Sequence, residues 1–112
     1  MRGQALKGHL DLLLLAVVAD EPQHGYGVIE ELRRRSGNAF DLPEGTVYPA
    51  LHRLQDAGYL DSDWAEVNGR RRRTYRITRK GHGALMQERD SWTAFTTAVG
   101  KVLKGTPWPS TP

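Results

Sequence analysis

The fold class this sequence predicts is a mainly α-helical chain carrying one two-stranded β-hairpin, and three observations carry that prediction. Residues Leu12 to Ala19 form an unbroken apolar run, closed by Pro22. Val47, Leu51 and Leu54 recur at i, i+4 and i+7, the spacing that places side chains on one helix face. Asn68-Gly69 separates two strand-like segments, and that dipeptide is the strongest short-range signal for a tight hairpin.

Residues 9–20 read as the first helix, apolar almost all round and therefore buried on most sides. Glu21-Pro22 ends it, because proline lacks the N–H to continue a helix and restricts the residue before it. The apolar run is too short to span a membrane and has no small-residue cleavage site, so it reads as a core helix and not as an anchor or leader. Residues 25–36 read as a second helix, with Tyr26, Ile29 and Leu32 as its apolar stripe. Arg33, Arg34 and Arg35 fall in its last turn, where cations suit the helix dipole, and Gly37 closes it. Residues 46–57 read as a third helix, with Thr46 as N-cap and Pro49 at the third helical position, where a missing N–H costs little. Thr46, Pro49, His52 and Arg53 then lie off its apolar face.

Residues 59–67 and 70–77 read as the two strands. A two-residue loop sets Val67 opposite Arg70, Glu66 opposite Arg71, Trp64 opposite Arg73, Asp61 opposite Arg76 and Leu60 opposite Ile77. That register offers two opposite-charge pairs and a cation over the Trp64 ring. Thr78 can cap a last helix running to about Leu103. Trp92, Phe95, Val99 and Val102 make a two-heptad apolar seam on it, which needs a partner: the first helix or a second subunit. The sequence thus divides into a winged part at 1–78, a C-terminal helix at 79–104 and a proline-rich tail at 105–112, expected to be disordered and to leave Trp108 without a role.

A chain of 112 residues suffices for one domain, and 38% hydrophobic residues make a thin core. Part of the apolar surface is therefore expected against a second copy. The net charge is only +3, but seven of the sixteen basic residues fall between Arg70 and Lys80. No acid lies between Asn68 and Gln87, so this stretch can hold a polyanion. The absence of cysteine excludes disulfides, thiolate metal sites and Cys nucleophiles, and fits a reducing, cytoplasmic setting. His9, His24, His52 and His82 show no metal-ligand spacing, so neither metal nor cofactor is expected; His24 reads as a cap or packing residue. No nucleophile, base and orienting group converge, and an enzyme is not expected.

The order helix, helix, helix, hairpin, helix is that of a winged helix-turn-helix with one added helix. The third helix is narrow enough for a major groove, and the hairpin reaches the adjacent backbone. The DNA-facing set is Thr46, Tyr48, Pro49, His52 and Arg53 on the third helix, with Arg70, Arg71, Arg72 and Arg73 on the hairpin. Thr46 and the free first-turn N–H groups can hold a phosphate, Tyr48 and Pro49 can touch thymine methyls or sugars, and Arg53 can reach phosphate or guanine. Alternate arginines point to opposite faces of the strand, Arg71 and Arg73 with Trp64, Arg70 and Arg72 with Thr74. The alternative is a protein-interaction module without sequence-specific DNA binding, supported by Asp41, Glu44, Asp56, Asp61 and Asp63 near the third helix.

The stretches LKGHLDLLLLAVVADEPQHGYGVIEEL, FDLPEGTVYPALHRLQDAGYL and NGRRRRTYRITRKG resemble the PadR family of transcriptional regulators over residues 6–82. The resemblance implies cytoplasmic bacterial homodimers that bind pseudo-palindromic operators in double-stranded DNA and repress. It also implies that the last helix supplies most of the dimer contact, here Trp92, Phe95, Val99 and Val102 with Leu10, Leu13 and Val17 of the first helix. The single C-terminal helix is similar to the short subfamily that includes the lactococcal multidrug-resistance regulator. There a tryptophan of the last helix stacks planar drugs between subunits, which implies a planar aromatic effector at Trp92, with Thr96 one turn along.

Overall fold

The computed structural model describes residues 9–104. The apolar run folds as α1 (Leu10–Asp20), which buries Leu14, Leu15, Val17 and Val18. Glu21 follows in extended backbone, as the residue before a proline prefers. The chain continues through β1 (Gln23–His24), α2 (Gly25–Arg35), α3 (Glu44–Asp56), β2 (Leu60–Val67), β3 (Arg70–Ile77) and α4 (Arg79–Leu103). One core joins the three helices to the sheet: Leu14, Val28, Leu32, Val47, Leu51, Leu54, Leu60 and Tyr75 belong to a single buried cluster.

The sheet has three strands, in the order β1-β3-β2, where two were expected. Gln23 pairs with Tyr75 and His24 with Thr74, so β1 covers the inner edge of β3. Two residues are too few to show the alternation by which a strand is read from sequence. The hairpin register is the expected one from Leu60↔Ile77 to Val67↔Arg70. Asn68 and Gly69 turn it with φ of 51° and 76°, the two left-handed residues that a type I′ turn requires. The expected charge pairs differ: Arg76 bonds the diagonal Asp63 at 2.7 Å instead of Asp61 opposite it. Arg71 lies over the Trp64 ring and not on Glu66.

The buried row of α2 is Gly25, Val28, Ile29 and Leu32, at i, i+3, i+4 and i+7. Tyr26, expected in the apolar stripe, is exposed on the side facing the wing. Thr78 caps α4 as expected, accepting from the Gly81 N–H at 3.0 Å while its own hydroxyl donates to the Gly58 carbonyl at 2.7 Å. Only Gly81 and Leu85 of α4 are buried; Ala84 packs against the core, Trp92 reaches His9 at the start of α1, and most other side chains of this 25-residue helix are exposed. The described part measures 54 × 28 × 23 Å. The tail at 105–112, with Trp108, lies outside the described residues, as do residues 1–8 of the winged part.

His24 is a cap, as its sequence context suggested: its Nδ1 accepts from the Gly27 N–H at 3.0 Å at the start of α2. Only the neutral ring can accept there. Burial pushes the imidazole pKa below its ordinary 6.5, the Arg72 charge pushes it the same way, and Glu30 opposes them. The unfolded chain then binds a proton that the folded chain refuses, so stability rises with pH across that interval. The contribution is complete above pH 6.5 and is lost as pH falls through the lowered folded-state value. Urea unfolding across this range is expected to show that slope in the wild type and a flatter profile in His24→Asn, which keeps a cap acceptor. His24→Ala is expected to cost about 1 kcal/mol at neutral pH.

Candidate nucleic-acid interface

Pro43, and not Thr46, is the N-cap of α3, because the chain turns helical three residues earlier than that cap implies. The Pro43 carbonyl accepts from the Thr46 and Val47 N–H groups at 3.0 and 3.2 Å, so Thr46 sits inside the first turn. The acid Glu44 in that turn suits the helix dipole. Pro49 consequently lies deeper in the helix than the third position and removes the bond that Gly45 would have accepted. Gly45 is exposed, so water can satisfy its carbonyl.

Burial of Val47, Ala50, Leu51 and Leu54 turns Pro49, His52 and Arg53 to solvent and leaves Tyr48 half-buried. The Tyr48 ring lies against the backbone of Gly25, where a Cβ would stand 2.4 Å from Cε1. Glycine at the start of α2 is thus what allows the phenol to lie flat between α2 and the wing.

A cavity of about 310 Å³ opens between α3 and the wing, lined by His24, Gly25, Tyr48, His52, Trp64, Arg71, Arg72, Arg73 and Tyr75. It gathers Tyr48 and His52 with Arg71, Arg72 and Arg73, five of the nine nominated DNA-facing residues. Thr46, Pro49, Arg53 and Arg70 do not line it. Arg53 is turned to α1, where Asp11 holds its two terminal nitrogens at 2.6 and 3.1 Å. Sequence reasoning missed Gly25 and Tyr26 as neighbours of this cleft and saw Trp64 only as a ring that could take a cation. The Arg72 guanidinium stands 6.0 Å from the Tyr26 centroid, and Tyr26 stacks parallel to His24.

The arginines of the two basic clusters are held differently. Glu31 accepts from Arg34 at 2.7 Å and from Arg35 at 2.9 Å, and these bonds pull its carboxyl down to about 2. Arg35 also meets Asp20, and Arg33 meets Asp41. On the wing, among the described residues, no carboxylate pairs with Arg70, Arg71, Arg72 or Arg73. Their charge is not neutralised by any carboxylate among the described residues. Of the acids near α3, Asp41 and Asp63 are held by Arg33 and Arg76, which weakens the case for a cation-seeking protein surface there.

A second concavity, of about 240 Å³, lies between α1 and α4 and is lined by His9, Leu12, Glu88, Ser91, Trp92 and Phe95. The His9 ring meets Trp92 edge-on at 4.7 Å. Thr96, expected beside Trp92, does not line it; its hydroxyl donates to the Trp92 carbonyl at 2.9 Å, a local bond typical of threonine inside a helix. Val17, expected at a dimer contact, is only 2% exposed and belongs to the protomer's own core. Leu10 and Leu13 are partly buried, whereas Trp92, Phe95, Val99 and Val102 of α4 are exposed. Among the described residues no cluster of histidines and acids could hold a metal, and no helix is long and apolar enough to cross a membrane.

A half-buried helix beside an un-neutralised arginine wing defines a winged-helix regulator. The model of the PadR-like transcriptional regulator family matches residues 14–87, and the chain belongs to that family. It is a transcriptional regulator and not an enzyme. It is 41% identical over 78 residues to the transcriptional regulator Rv3488 of Mycobacterium tuberculosis, 70% of each chain. A transcriptional regulator from Clostridium thermocellum is similar with a TM-score of 0.82 at 26% identity, over 90% of this chain and 96% of that one. A PadR-like regulator from Bacillus cereus reaches 0.80 at 29% identity, over 90% and 97%.

The Gly25–Tyr48 contact can be probed directly. Gly25→Ala drives a methyl into the phenol ring, and overpacking of this kind costs about 1–3 kcal/mol. Chemical unfolding is expected to show that loss, and Tyr48→Ala in the same chain is expected to recover part of it by removing the clash.

Proposed function

We propose that the protein is a cytoplasmic homodimeric repressor that binds a pseudo-palindromic operator and is released by a planar aromatic small molecule. The observation that carries this reading is the convergence of Tyr48 and His52 of α3 with Arg71, Arg72 and Arg73 of the wing around one cleft. In this reading the part up to residue 78 binds DNA, and α4 joins two copies. The N-terminal half of α3, with Thr46 in its first turn and Pro49 in its second, enters the major groove, and Arg70 to Arg73 grip the adjacent backbone. The exposed α4 seam, with Leu10 and Leu13 beside it, supports the dimer. The concavity at Trp92 supports an aromatic ligand, since an indole offers a rigid stacking face.

DNA binding with sequence preference is the test. Affinity for the protein's own promoter is expected to exceed that for random duplex and to fall steeply with salt, by nearly one unit of log–log slope per phosphate contact. Arg71→Ala with Arg72→Ala is expected to weaken all duplexes about equally and to lower that slope, whereas Tyr48→Ala changes the ranking of sequences. Equal affinity for promoter and random DNA would leave the sequence-specific reading without support. Sedimentation at micromolar concentration is expected to give a dimer, and Val102→Glu together with Phe95→Glu to give a monomer.

A further inference from the structure

Trp64 is the largest side chain on the wing, and it is 55% exposed. An indole so placed adds little to the core, so its position on β2 needs another cause. Two of its three cross-strand neighbours on that face are arginines, and the third, on the diagonal toward the body, is the buried Tyr75. Arg73 lies directly opposite it, and Arg71 lies one diagonal step away, opposite Glu66. Their guanidinium carbons stand 4.9 and 5.1 Å from the indole centroid. Arg73 has a second tether, because its Nη1 donates to Ser62 Oγ at 2.7 Å. Ser62 Oγ in turn donates to Gln55 Oε1 at 2.6 Å, and Gln55 lies in the last turn of α3.

Four adjacent arginines repel one another, and each loses rotamer freedom when it grips a phosphate. A carboxylate could order them, but it would cancel the charge that attracts the phosphate. An aromatic face attracts a cation through its quadrupole and leaves the net charge unchanged. We propose that Trp64 is a positioning residue for binding of the duplex phosphate backbone: it pre-orders Arg71 and Arg73 at the cleft without neutralising them. Through Arg73, Ser62 and Gln55 it also sets the distance of the wing from α3. This inference rests on the DNA-binding reading above and assigns a role within that site to a residue that need not itself touch DNA.

The test is duplex affinity over a salt series for the full chain and its variants, with thermal unfolding alongside. Each exposed cation–π contact corresponds to about a two- to fivefold effect, so Trp64→Leu is expected to weaken binding about five- to tenfold. Its salt slope is expected to match the wild type, since the number of phosphate contacts is unchanged. Trp64→Phe restores most of the affinity, which a role in bulk packing alone would not predict over leucine. In a chain carrying Arg71→Ala and Arg73→Ala, Trp64→Leu has no further effect on affinity, because both cations that the ring orders are gone. If Trp64→Leu fails to fold, Trp64→Thr, suited to an exposed strand, carries the same expectation. Wild-type affinity in Trp64→Leu, or equal weakness of Phe and Leu, overturns the inference. So does a Trp64→Leu effect that persists without both arginines, which would make the indole itself a DNA contact. Absence of DNA binding by the wild type would sink the underlying reading as well, so the two failures are distinct.

Discussion

Burial of one face of α3 is the constraint on which the cleft depends. Val47, Leu51 and Leu54 are almost wholly removed from water, and Ala50 nearly so. A fully buried leucine is worth about 1.5–3 kcal/mol, so a rotation of α3 that exposed two of them would cost several. A single hydrogen bond contributes about 0.5–1.5 kcal/mol net, too little to turn the helix another way. The apolar face therefore sets the azimuth, and at 100° per residue Tyr48 and His52 follow Val47 and Leu51 toward the wing. The polar side of the site is a consequence of where the leucines go.

Charge is distributed by the same economy of partners. Glu31, Asp20 and Asp41 hold the arginines of α2, Asp11 holds Arg53, and Asp63 holds Arg76. These pairs lie at the surface, where solvent screening leaves each of them little effect on stability. Their larger effect is on the field, because they silence cations away from the wing. A net charge of +3 hides this, since acids and bases cancel over the chain but not around the cleft. With a screening length of about 8 Å at physiological salt, a phosphate near Arg71 to Arg73 feels mainly those residues.

Most of the fold was legible because it rests on local rules. The hairpin register follows from Asn68-Gly69 alone, and α4 begins at Thr78 because its hydroxyl caps the Gly81 N–H. The start of α3 was misplaced because Thr46 is a good cap in isolation, whereas Pro43 holds the extended backbone that begins the helix. β1 was invisible because a two-residue strand exists only through its partner on β3. The site was legible as a set of residue types, Tyr48 and His52 with the wing arginines, but not as contacts. Arg53 reads as a free cation in sequence, and only the fold brings Asp11 to it across 42 positions. Gly25 likewise gave no signal, since its function is to have no side chain where Tyr48 passes.

The first turn of α1 touches both the concavity beside Trp92 and helix α3. Leu12 lines the cavity beside Trp92, and His9 touches that indole, while Asp11 between them turns to Arg53 of α3. Neighbouring helical residues point about 100° apart, so one turn can face both α4 and α3. A molecule held at Trp92 alters DNA binding only if it favours one placement of this turn over another. The Asp11–Arg53 pair is exposed on both sides, and such pairs are worth about 0.2–1 kcal/mol, so breaking it alone transmits about a fivefold change at most. A stronger link has to shift Leu14 and Leu15, which lie on the same helix at the centre of the core, and with them the azimuth of α3.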